Sequence, residues 1–94
     1  MNAITEISGD AELTRLQARA VRDIVAFARR ENLRAGDRLV ESSLAQRIGT
    51  SRSPINVALR HLAAQGVLSH DLHRGYSLTR DAATLGDLAG QIAE

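Results

Sequence analysis

Six residues, Gly49-Thr50-Ser51-Arg52-Ser53-Pro54, separate two apolar patterns of helical period, and they restrict this chain more than any other stretch. Before them, Leu44, Ala45 and Ile48 make one apolar face. After them, Ile55, Ala58, Leu59 and Leu62 recur at helical spacing, so one face of a second helix is buried. Glycine takes up the left-handed conformation that ends a helix. Thr50 and Ser51 offer side-chain oxygens to cap the next helix, and Pro54 falls in its first turn, where a missing N–H costs little. At roughly 100° per residue, Arg52, Ser53, Asn56, Val57 and Arg60 fall on the side away from the apolar row. The spacing predicts a first helix from Glu41 to Ile48, with Ser42 as an alternative cap, and a second over 51–65 that closes at Gly66. Two short helices, a tight turn and an Arg/Ser/Asn outer face make a helix-turn-helix, the arrangement that offers side chains to a DNA groove.

The flanks complete the unit. Residues 1–9 show no period and are expected to be a flexible lead-in. Asp10 is placed to cap a helix supported by Glu12, and Leu13, Leu16, Ala20, Ile24 and Phe27 repeat at spacings of three and four to about Glu31. Arg15, Arg19, Arg22, Asp23, Arg29 and Arg30 lie off that stripe and are expected to be solvated, with an N-terminal Arg or two able to touch phosphate. Asn32 to Asp37 is a turn in which Gly36 supplies positive φ. Arg38-Leu39-Val40 is too short to be an independent strand and is expected to pair with the edge of a later hairpin. That hairpin is Val67–His70 and Tyr76–Thr79, joined by the turn Asp71-Leu72-His73-Arg74-Gly75. The fold class expected is mainly α with a small β-hairpin, a winged helix-turn-helix over residues 10–80. From Asp81 on, a helix through Leu85, Leu88 and Ile92 is weakened by Gly86 and Gly90, and 81–94 is expected to be a linker and the start of a further helix.

Composition removes several function classes. At 94 residues there is room for one domain. One Phe, one Tyr and no Trp leave almost nothing to stack on single-stranded bases. With no Cys there are no disulfides or thiolate metal sites, which fits a reducing cytoplasm. No apolar run approaches the ~18 residues of a membrane span, and the first ten residues carry no signal peptide. Net charge is only +1, but residues 51–80 hold Arg52, Arg60, Arg74 and Arg80 against Asp71 alone. The positive charge therefore sits on the segment that would meet phosphate. All twelve basic residues are Arg, as expected from a genome rich in G and C.

The segments AGDRLVESSLAQRIG, TSRSPINVALRHL and QGVLSHDLHRGYSL, within Leu33–Leu78, resemble the N-terminal winged helix of the GntR family of bacterial transcription regulators, closest to its FadR-type branch. The family pattern runs pG-x-x-L-x-E-x-x-LA, then G-V-S-R-T-P-V-R-E-A-L-x-x-L, then eG-L-V and a wing ending in R-G. The resemblance implies that Arg52 reads bases in the major groove. It implies further that Thr50, Ser51 and Ser53 hold phosphates, and that the tip His73-Arg74-Gly75 meets the minor groove. The family has Arg-Glu where this chain has Asn56-Val57, so the usual G-rich half-site is not carried over. Arg bonds two ways to guanine, Asn does so to adenine, and Val57 offers a methyl surface to thymine. Relatives of this branch continue into a helical C-terminal domain that binds a small acidic metabolite, often with a metal, and forms the dimer. The partner expected is double-stranded DNA with a palindromic operator, bound by a homodimer formed on DNA or through such a domain.

Three other readings compete. His70, Asp71 and His73 cluster at the wing, but their spacing is loose and no fourth ligand is evident, so neither a metal nor a cofactor is expected. No nucleophile–base pair or phosphate-cradling glycine loop is present, so no enzyme activity is expected. The serious alternative is a winged helix used for protein contact, which would show apolar anchors on its outer face.

Overall fold

The computed structural model describes residues 13–85, and its order of elements follows from the punctuation above. Helix α1 is Arg15–Arg30, strand β1 Arg38–Leu39, helix α2 Glu41–Ile48 and helix α3 Arg52–Ala64. Strands β2 (Leu68–Asp71) and β3 (Gly75–Leu78) follow, and a 3-10 turn covers Ala82–Leu85. The strands form an antiparallel sheet of order β1-β3-β2, with Leu39 opposite Tyr76 and Leu68 opposite Leu78. The short Arg38-Leu39 segment thus takes the free edge of the hairpin, as its length required.

Alpha-helical packing supplies the core. Ile55, Ala58, Leu59 and Leu62 are all sealed from solvent, and they meet Val21, Ile24, Val25 and Ala28 of α1 and Leu44 and Ala45 of α2. Ile55 and Leu59 expose no surface, which fits burial worth roughly 1.5–3 kcal/mol for each large side chain. The base of the hairpin closes the core through Val67, Leu68 and Leu78. Thr79 Oγ1 donates to the carbonyls of Gly66 and Val67 at 2.7 and 2.9 Å, so the hairpin leaves the end of α3 at a fixed angle.

The structure corrects several expectations. Helix α1 starts at Arg15: Thr14 is its N-cap, and Thr14 and Gln17 form a reciprocal capping box. The cap expected at Asp10 lies outside the described residues, as do the lead-in 1–9 and the stripe positions Leu88 and Ile92. Leu16 is 59% exposed, because the buried stripe runs through Ala20, Val21, Ile24, Val25, Phe27 and Ala28 instead. The strands are each shifted by about one residue, and they do not alternate: only Leu68 and Leu78 are buried among their eight positions.

The segment from Asp81 also differs from a plain linker. Ala82 and Leu85 are buried in the core, against α1 among other elements. Asp81 Oδ1 accepts from the Ala35 N–H at 3.0 Å, and the Ala82 N–H donates to the Leu33 carbonyl at 2.9 Å. The domain core therefore continues through Leu85, five residues past Arg80.

Candidate nucleic-acid interface

The turn between α2 and α3 is built on one backbone conformation. Gly49 ends α2 at φ 88°, its N–H donating to the Ala45 carbonyl, and Thr50 donates to the same carbonyl at 3.0 Å. Ser51 then takes the N-cap position of α3 in extended backbone. Its side chain makes no capping bond, contrary to expectation. An N-cap oxygen bonds the N–H of the second or third helical residue; Pro54 removes the third, leaving only that of Ser53 to be bonded. The Ser51 hydroxyl is left free and exposed, beside the exposed Ser53.

Along α3 the outer face is polar. Arg52 and Arg60 are exposed, whereas Asn56 and Val57 are half-buried. Arg52 is not a free cation: its Nη2 donates to Glu41 Oε1 at 3.1 Å across the turn. Glu41 opens α2, where a negative charge is favoured by the unpaired N–H groups of the helix start. Its carboxyl is held below its ordinary 4.5, first by the Asn56 side-chain amide and then by the hydrogen bond and charge of Arg52, against a desolvation that raises it. The Arg52 contact has full hydrogen-bond geometry. A carboxyl lowered on folding stabilises the fold above its unfolded value, and that contribution is lost as pH falls through the lowered one. Glu41 thus ties the candidate base reader Arg52 to the start of α2.

The hairpin projects. Ser69 to Arg74 are all exposed, and Leu72 at the tip is 89% exposed. The tip is held from within: Asp71 Oδ1 accepts from the His73 N–H at 2.8 Å, and Gly75 has φ 80°. Arg38 Nε donates to the Arg74 carbonyl at 3.1 Å, tying β1 to the base of the tip. His70 stacks on Tyr76 with centroids 4.4 Å apart, a cross-strand pair that stiffens the projection. His70, Asp71 and His73 do not converge, and no metal-holding cluster occurs among the described residues. No described helix is long and apolar enough to cross a membrane.

Arg47 bonds Glu31 at 3.3 Å and lies over the Phe27 ring at 5.0 Å, joining α1 to α2. Arg19, expected to be solvated, stays 72% exposed while lying 3.8 Å from Asp23 along α1. Sequence reasoning singled out Arg52, Asn56, the hydroxyls and the wing tip, but neither Glu41 nor Arg38. The signal for Glu41 was its motif position together with the turn, which folds α2's first residue back toward α3.

Comparison with known proteins bears on this surface. A family model described as bacterial regulatory proteins, gntR family, matches residues 15–76, more than half of the chain. An uncharacterized HTH-type transcriptional regulator of Bacillus subtilis, YdhC, is 46% identical over 44 residues, covering 47% of this chain and 20% of that protein. An uncharacterized HTH-type transcriptional regulator of Mycobacterium tuberculosis is 43% identical over 54 residues, covering 56% of this chain and 22% of its own length. The chain thus spans about a fifth of the length of the curated relatives it matches. No solved structure matches it significantly.

Proposed function

This chain belongs to the GntR family of bacterial regulatory proteins, and on that footing we propose that its winged helix is the sequence-specific, double-stranded-DNA-reading module of a cytoplasmic transcription regulator. The observation that carries this is the division of α3. One side is sealed into the core, and the other presents Arg52, Ser53, Asn56, Val57 and Arg60 with no large apolar anchor. A protein-binding face would have such an anchor at its centre.

Helix α3 enters the major groove by its N-terminal part. There Arg52 bonds guanine, Asn56 bonds adenine and Val57 meets a thymine methyl. Thr50, Ser51, Ser53 and Arg60 contact phosphate, and the tip His73-Arg74-Gly75 lies at the minor groove. Two copies meet on a palindromic operator, each reading a half-site.

Titration onto duplex DNA over a range of salt tests the class of partner, since phosphate contacts make log affinity fall linearly with log salt. Arg52→Ala tests the reading. It should cost about 1–3 kcal/mol on the preferred site, much less on random duplex, and relax preference at one base pair. Equal losses on both duplexes would place Arg52 on phosphate, and salt-independent binding would remove DNA as the partner.

A further inference from the structure

We propose that Glu41 is a specificity-determining positioning residue: its carboxylate holds the side chain of Arg52 in the orientation that reads bases. The inference rests on the proposal that Arg52 contacts DNA. Arg52 Nη2 lies 3.1 Å from Glu41 Oε1, although its side chain is 67% exposed and would otherwise sample many rotamers. Glu41 is the more enclosed partner, at 26% side-chain exposure, and sits at the start of a helix whose neighbour Leu39 is buried. The anchor is therefore the carboxylate and the held group is the guanidinium.

The donor inventory makes this contact compatible with base reading. A guanidinium has five N–H groups, so one spent on Glu41 leaves enough for the two that guanine O6 and N7 require. Without the carboxylate, the guanidinium is free to swing to the nearest phosphate. Holding the side chain beforehand also reduces the ordering cost of binding.

A carboxylate near DNA repels phosphate, so its removal has two separable effects. Random-duplex affinity should hold or rise as the negative charge is lost. Discrimination should fall.

The test compares the full chain with Glu41→Ala, Glu41→Gln, Arg52→Ala and Asn56→Ala. The probes are a duplex enriched from a random library by the unmodified protein, its single-base variants, and a scrambled duplex at matched salt. Thermal unfolding of each protein checks that the fold is kept, and Glu41→Gln retains size and a neutral acceptor. For Glu41→Ala we expect on the order of tenfold loss of preference at the base pair that Arg52→Ala identifies, and none at one that Asn56→Ala alone identifies. Glu41→Gln should lose less, and neither should weaken binding to the scrambled duplex. If Arg52→Ala relaxes base preference while Glu41→Ala keeps it, Glu41 does not position Arg52 and the inference falls alone. A loss shared equally by enriched and scrambled duplexes would also overturn it, by showing a general structural role. If Arg52→Ala leaves preference unchanged, the proposal that Arg52 reads bases itself falls and takes this inference with it.

Discussion

Exchanging Asn56 for Arg and Val57 for Glu restores the pair that the family pattern places after P-V, and it should move operator preference without moving the fold. Neither side chain belongs to the buried row, since Ile55, Ala58, Leu59 and Leu62 form it with no more than 1% exposure. The double change adds one positive and one negative charge, so net charge and general attraction to phosphate stay level. On α3 the new Arg at 56 lies four residues from both Arg52 and Arg60, two like-charge pairs of about 0.2–0.5 kcal/mol each at low salt. Glu41, already bonded to Arg52 at 3.1 Å, offsets part of this. The stability change should therefore stay below about 1 kcal/mol. Against it stands about 1–3 kcal/mol of discrimination for one good bidentate contact, so base preference is the larger effect. Selection from random duplexes, run on both proteins at matched salt, should show one position passing from A·T to G·C. Indistinguishable enriched motifs would refute the reasoning, leaving Arg52 and the wing as the sequence readers.

Two further outcomes concern the scaffold. Leu85→Ala should destabilise the domain by about 2–5 kcal/mol in urea unfolding, the usual cost of a cavity at a buried leucine, because Leu85 is only 1% exposed; a change within error would show that the 3-10 turn lies outside the cooperative unit. Gly49→Ala should cost roughly 1–2 kcal/mol from backbone strain, since φ is 88° and a Cβ there would meet no atom within 4 Å; a neutral result in the same assay would mean that the helix-turn-helix bend relaxes to accept the side chain.

Helices α2 and α3 could be read from sequence because two independent signals agree there, the apolar period and the Gly49/Pro54 punctuation. The start of α1 could not, because Asp10 and Thr14 are both good caps and only Thr14 has a glutamine three residues on. Leu16 misled because its spacing from Leu13 and Ala20 fits a stripe whose buried face is in fact rotated toward Val21 and Val25. Gly86 made the segment after Asp81 look like a linker, whereas Asp81 and Ala82 are bonded to the distant loop at Ala35 and Leu33, and Leu85 is buried in the core. The Glu41–Arg52 contact spans eleven positions across a turn, a separation at which no helical or strand period operates.

Four consecutive residues, Arg38 to Glu41, link both proposed reading elements to the core. Leu39 is the anchor, 4% exposed, within β1. On one side of it Arg38 reaches the Arg74 carbonyl in the hairpin tip, and on the other Glu41 reaches Arg52 on α3. Neither bond adds much to stability, because an exposed ion pair contributes only about 0.2–1 kcal/mol and a hydrogen bond about 0.5–1.5 kcal/mol. Their weight is geometric. The hairpin tip and the first turn of α3 have no buried side chain of their own beyond Pro54 and Ile55. A short segment fixed at Leu39 gives both the same reference point. Positions 56 and 57, proposed to read bases, can then differ from the family pattern while the frame that presents them stays as it is.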